Sequence, residues 1–180
     1  AGVDVVTFSA DKVLGGPQAG IIIGRKEYIK KIKKNHLLRA LRCDKMSYAI
    51  LDATLRLYLE PGHLKNTLPV ARMLNDSRES LGRRGNELMK ALDGFPLKTE
   101  LVDTFSQMGS GALPLEKIPS LAVKILPAGM SVSRFSRLLR TGEPVIVGYL
   151  ESDSFFLNLR TIRDDEVPVI SQKVKKIFKK

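Results

Sequence analysis

Apolar residues recur along this chain with two different periods. The runs GVDVVTF at 2–8 and GIIIG at 20–24 are short, apolar and bounded by turn residues, which predicts two strands flanking the segment DKVLGGP. RKEYIKKIKK at 25–34 spaces isoleucine among lysines at helical intervals, and MSYAILDATLRLYLE at 46–60 repeats its apolar residues at 3–4-residue steps. The second of these is expected to be a buried or interface helix that closes before Pro61-Gly62. A further helix is expected around Leu68 to Leu74, and Asp76 or Ser77 is placed to cap another that runs to Leu92, where Asp93-Gly94 and Pro96 stop it. The helix-dominated first region is therefore expected to cover 1–94.

The remainder reads differently. LKTELVDTF, SLAVKILP, VIVGYLE and SFFLNLRTI are four strand candidates, and VSRFSRLLRTG between the second and third reads as a helix ended by Gly142. The turn ESDS at 151–154 predicts a hairpin between the third and fourth strands, and Asp165 to Lys179 predicts a closing helix. Residues 95–180 are expected to form a small α+β domain with a mostly antiparallel sheet. No period of about 20 to 50 residues repeats, which argues against a solenoid.

Composition adds bounds. With 43% apolar content, 180 residues can form one large or two small cores. The sequence has no apolar run approaching a membrane span, and its single cysteine makes no internal disulfide, so a soluble cytoplasmic protein with no membrane partner is the expectation. The opening AGVDVVTFSA has no basic leader and already reads as a strand, without a methionine, which is the pattern expected of a fragment. Thirty basic against 19 acidic residues give a formal net charge of +11, compatible either with a polyanionic partner or with a basic solvated surface. The charge concentrates in 25–34 and in SQKVKKIFKK at 171–180, where each helical pattern can bury a narrow apolar stripe while presenting ammonium groups. Such lysine clusters supply salt-dependent attraction and little base discrimination. His36 and His63 belong to no compact ligand cluster, so no metal site is assigned, and Cys43 reads as a small packed residue.

Lys12 is the chemical candidate. A lysine set at a sharp strand-to-loop transition can be held in place with room above it. Asp11 can orient it or a backbone amide, Gly15 and Gly16 permit close approach, and Pro17 fixes the exit. A structural or solvent-exposed lysine remains open from these residues alone. The order GxxxxGK of a nucleotide phosphate loop is absent.

The run TFSADKVLGGPQAGIIIGRKEYI resembles the cofactor-lysine segment of the bacterial selenocysteine synthases, the L-seryl-tRNA(Sec) selenium transferases. HLLRALRCDKMSYAILDATLRLYL resembles that family's arginine-bearing segment and following helix, GSGALPLEKIPS its glycine-rich stretch, and LNLRTIRDDE its late strand and turn. The likeness covers nearly the whole chain. It implies an α/β protein, the C-terminal part of a fold-type I pyridoxal-phosphate-dependent transferase with a small α+β domain. It also implies that Lys12 carries pyridoxal 5'-phosphate as an internal aldimine and then serves as an acid/base group, with Asp11, Ser9, Gly15, Gly16 and Gln18 around the cofactor. Ser9 has the alternative of capping the loop, and Gln18 that of satisfying backbone groups. Arg39 and Arg42 are implied to hold an oxyanion of selenophosphate; if their segment is helical, the i,i+3 spacing puts both guanidinium groups on one face. The implied partners are seryl-tRNA(Sec), selenophosphate and further copies of the chain in a pentamer of dimers.

Ala10 stands where the family commonly has glycine, and Gly109-Ser110-Gly111-Ala112 is less uniform than its usual run. The family's phosphate-holding loop, ring-stacking aromatic, pyridine-nitrogen acid and RNA-binding N-terminal domain all precede its lysine and cannot be located in this sequence. The chain by itself is therefore expected to have little catalytic competence. A related pyridoxal-phosphate lyase acting on a small free amino acid is the alternative, and a noncatalytic interaction module is the reading if the 180 residues are a whole protein.

Overall fold

The computed structural model describes residues 2–108 and 117–179, so the GSGALPLE part of the glycine-rich stretch, 109–116, lies outside the described residues. The chain divides into two compact units, Ala1–Asn75 and Asp76–Lys180. Each is mixed α/β around its own antiparallel sheet.

In the first unit, β1 (Val5–Ser9) pairs antiparallel with β2 (Gly20–Gly24), from Val5 opposite Gly24 to Ser9 opposite Gly20. The basic segment forms α1 (Lys26–Lys33), which buries no residue completely. After α2 (Leu38–Leu41), the chain extends through Arg42 into α3 (Lys45–Leu57). Asp44 starts α3 by accepting a 2.8 Å hydrogen bond from the Ser47 amide, which satisfies one of the donors a helix start leaves open. Of the α3 residues only Thr54 is buried, so within this chain α3 is not the buried helix that its pattern allowed. The unit ends with α4 (Leu64–Thr67) and α5 (Pro69–Asn75), short helices separated by the proline that neither could carry in its interior.

The second unit opens with α6 (Arg78–Ala91), capped by Ser77, whose side chain accepts from the Ser80 amide at 3.1 Å. Two long strands follow, β3 (Leu97–Gln107) and β4 (Lys117–Pro127), then α7 (Val132–Arg140), β5 (Tyr149–Glu151), β6 (Ser154–Asn158) and α8 (Val167–Phe178). The sheet runs β3-β4-β6-β5 with every pairing antiparallel, as the alternating sequence predicts. Ser152 and Asp153 make the β5–β6 hairpin with φ of 46° and 54°, the left-handed conformation that a tight two-residue turn requires. Leu88 of α6, Val123 and Ile125 of β4, Phe135 of α7, Phe155 of β6 and Val174 of α8 meet in one core from which water is excluded. Phe135 and Phe155 pack edge to face with centroids 5.6 Å apart, a favoured aromatic geometry.

Three expectations shift. The units divide between Asn75 and Asp76 rather than at Gly94, because α6 buries Leu81 and Leu88 in the second unit's core. The third strand shrinks to Tyr149–Glu151: the Ile146 amide donates to the Leu139 carbonyl at the end of α7 instead of joining the ladder. The fourth stops at Asn158, whose side-chain oxygen accepts from the Arg160 amide at 3.1 Å and turns residues Leu159–Thr161 into a short 3-10 turn.

Candidate active site

Lys12 sits at the tip of the β1–β2 hairpin, and backbone hydrogen bonds shape the loop that carries it. The Ala10 amide donates to Ala19 at 2.8 Å, continuing the strand pairing, and the Gly16 amide donates back to Ala10 at 2.8 Å. A tight turn is closed by the Gly15 amide on the Lys12 carbonyl at 3.1 Å, with Gly15 at φ +75°, a region costly for any residue with a Cβ. Gly16 is packed closely, since a Cβ there would lie 3.2 Å from the Ala10 carbonyl. Ala10 and Ala19 are buried beneath the loop. A side chain distant in sequence braces it: the Tyr58 hydroxyl, just beyond α3, donates to the Leu14 carbonyl at 2.8 Å.

On this base the Lys12 amine is presented outward. Its side chain is 48% exposed, and Nζ donates to Asp11 Oδ2 at 2.5 Å. That hydrogen bond holds the Asp11 carboxyl below the usual carboxylate range. Asp11 is thus a charged acceptor that orients the neighbouring ammonium, and the amine becomes a nucleophile or base only after losing a proton. Ser9 ends β1 and Gln18 lies just before Ala19; both are exposed on the same hairpin. The loop therefore gathers Lys12 and Asp11 directly, with Gly15 and Gly16 as its frame.

Arg39 and Arg42 are not joined as their spacing suggested. Arg39 lies in the one-turn α2, but the helix ends at Leu41 and Arg42 is extended at φ −65°, ψ 138°. The i,i+3 face is not formed because the chain straightens to reach Asp44, the cap of α3. Both guanidinium groups are exposed, and neither makes an ion pair or a hydrogen bond to the lysine loop among the described residues. Sequence reasoning missed Tyr58, whose bond to Leu14 spans 44 positions and leaves no local signal. It also missed Lys173: within a segment read as solvated lysines, this one is buried and donates to the Thr141 carbonyl at 2.7 Å.

Among the described residues no group of three or more histidine, cysteine, aspartate or glutamate side chains is gathered as for a metal ion, and no helix is long and apolar enough to cross a membrane. Fold and site are those of a mixed α/β protein that presents a lysine amine on a hairpin loop. The model of the L-seryl-tRNA selenium transferase family matches residues 1–163. The chain belongs to that family. It is 45% identical over 170 residues to the L-seryl-tRNA(Sec) selenium transferase of Nitratidesulfovibrio vulgaris, covering 92% of this chain and 36% of that protein. The corresponding protein of Carboxydothermus hydrogenoformans is 44% identical over 169 residues, 93% of this chain and 36% of its own. That of Desulfomicrobium baculatum is 41% identical over 181 residues, 99% and 39% respectively. The chain thus spans well under half the length of the curated relatives it matches.

Proposed function

We propose that the complete protein containing this chain converts seryl-tRNA(Sec) to selenocysteinyl-tRNA(Sec) with selenophosphate as donor and pyridoxal 5'-phosphate as cofactor. The observation that carries this reading is the outward Lys12 amine on a hydrogen-bonded loop, within a stretch matched by the family model. The same loop fits a cofactor held covalently: the amine is accessible and its backbone is fixed by the Ala10, Gly15 and Gly16 amides. Pyridoxal phosphate, when bound, supplies an electron sink for the pair released as the seryl α-carbon loses its proton. Lys12 is the residue that attaches it and then moves protons at its Nζ. Asp11 orients that Nζ, and Ser9 and Gln18 offer polar groups from the exposed edge of the hairpin.

Arg39 and Arg42 each present a free guanidinium suited to an oxyanion of the selenium donor, although not through a shared helical face. The basic faces of α1 and α8 suit an RNA, and such chemistry belongs in the cytoplasm. The architecture of the complete protein is that of a fold-type I transferase in a pentamer of dimers, with this chain as a C-terminal part. The exposed apolar side chains of Phe8, Ile23, Met46 and Tyr48 support the view that this unit is completed by other parts of the protein, and that the 180 residues alone have little activity.

In the complete enzyme, borohydride reduction followed by peptide mapping is expected to find the pyridoxyl label on Lys12, and Lys12→Ala to abolish it together with selenium transfer. A label retained on another lysine overturns the assignment. Arg39→Ala and Arg42→Ala are expected to slow single-turnover selenium transfer while leaving the label on Lys12. Normal transfer in the double variant removes the arginines from the donor site.

A further inference from the structure

Between α7 and α8 of the second unit lies a cleft of about 630 Å³, within the rough 300–1,000 Å³ range of small-ligand sites. Its charged lining side chains are Arg134, Lys173 and Lys176, with no carboxylate among the lining residues. None of the three makes an ion pair among the described residues. Lys173 is the informative one. It is only 6% exposed, yet among the described residues its ammonium has a single acceptor, the Thr141 carbonyl at 2.7 Å. An ammonium carries three donors, so two remain for the cleft that it lines. An anion in the cleft would offer those donors charged acceptors, which make the stronger hydrogen bonds. The backbone makes room for this arrangement: Gly142, at φ +76°, would place a Cβ 3.4 Å from Lys173 Nζ. Leu138 on α7 and Ile177 on α8, each one turn along from a lining cation, give the cleft an apolar wall beside the charges.

We infer that this cleft is a phosphate subsite for the RNA substrate, taking one backbone phosphate between Arg134, Lys173 and Lys176 with the adjoining nucleoside against the apolar wall. The inference rests on the proposed action on a transfer RNA and adds where this chain grips it. Three cationic donors suit a phosphate, whose oxygens accept from several directions, and guanidinium and ammonium groups both bind it strongly. The chain's net charge of +11 favours the approach of a polyanion to such a cleft.

The test uses the complete enzyme and two double variants of equal charge change. Arg134→Ala/Lys176→Ala alters two exposed cleft residues, so the buried core is untouched; Lys98→Ala/Arg137→Ala alters two exposed cations outside the lining. Binding of seryl-tRNA(Sec) is measured across a salt series. The cleft variant is expected to bind roughly five- to tenfold more weakly, with its salt slope reduced by about one, and the control variant to shift much less. The dependence of selenium transfer on donor concentration is expected to stay unchanged at saturating RNA. Equal weakening in both variants, or none in either, overturns the cleft as a site. Retention of inorganic phosphate by the wild type in equilibrium dialysis, lost in the cleft variant without change in RNA binding, assigns the cleft to a free anion and overturns the RNA assignment. A wild-type enzyme that binds the RNA in this manner but never transfers selenium defeats the proposed reaction and leaves the cleft standing.

Discussion

In the second unit Phe135, Phe155 and Leu139 are completely buried, whereas in the first Leu41, Met46 and Leu59 are each at least 70% exposed. The sequence gives both regions a similar supply of large apolar residues, but only the second folds them onto one another. Its sheet has four strands and three helices that place a stripe on it; the first unit has a two-stranded hairpin, too small to form a layer with a helix-covered face. The difference separates two ways of fixing a structure. The second unit is held by burial, while the lysine loop of the first is held by directional bonds, the Ala10, Gly15 and Gly16 amides and the Tyr58 hydroxyl. The exposed Lys12 amine lies in the region with less packing.

Paired truncations give the largest expected contrast. Phe135→Ala removes the ring that meets Phe155 at the centre of the core and should cost about 3–5 kcal/mol in urea unfolding of the 180-residue chain. Met46→Ala, at a residue 70% exposed, should change the same midpoint by less than about 0.5 kcal/mol. Equal losses would erase the distinction between the units.

Charge sharpens it next. Arg84 is buried on α6, with Nε on Asp164 at 2.7 Å and Nη1 on Asp76 and the Leu159 carbonyl at 2.8 and 2.9 Å. Arg84→Met keeps much of the volume and takes the guanidinium from the buried Asp76 carboxylate, for an expected loss of about 3 kcal/mol in the same measurement. A variant as stable as the wild type would show that packing alone holds α6.

Much of the element plan was readable because it depends on local spacing. The strand pair around DKVLGGP, a cap at Asp76 or Ser77, the ESDS turn and the strands of the second sheet all follow from neighbours a few residues apart. What could not be read joins distant residues or depends on where a helix stops. Arg39 and Arg42 have the spacing of a shared face, but Asp44 claims the next helix start and pulls Arg42 straight. Lys173 looks like its neighbours in QKVKK, yet its position on α8 turns it inward toward Thr141. The Lys12 loop itself was legible as a loop; the Asp11 contact follows from adjacency, and the Tyr58 brace does not.

That brace supplies a smaller test within the first unit. Tyr58→Phe keeps the ring and removes one neutral hydrogen bond, worth about 1 kcal/mol. Because the unit has little packing to compensate, the effect should concentrate at the loop. Hydrogen exchange of the Gly15 and Gly16 amides is expected to speed up, with the β3 and β4 amides unchanged. No change at Gly15 and Gly16 would mean that the hairpin bonds suffice.

The smallest expected effect concerns acid. Asp164 is held below the usual carboxylate range by hydrogen bonds from Arg83 and then Arg84, and Asp11 by the one from Lys12. A carboxyl whose folded pKa is depressed contributes stability that is present above its unfolded value, about 3.9, and is lost as pH falls through the folded one. Both pairs therefore act in the same direction and fade in the same acidic window, but their surroundings differ. Asp164 shares a buried guanidinium, so protonating it disturbs a bond inside the second unit, even though its own side chain is 52% exposed and its contribution is screened to below about 1 kcal/mol. Asp11 pairs only with an exposed lysine on a loop held by other bonds. Urea midpoints measured from neutral pH down through the carboxylate range should decline less steeply in Asp164→Asn than in the wild type, and Asp11→Asn should flatten the profile less than Asp164→Asn does. A profile flattened as much in Asp11→Asn as in Asp164→Asn would mean that the lysine loop contributes to the stability of the chain as a whole, and the separation between a unit held by burial and a loop held by local bonds would fail at its most sensitive point.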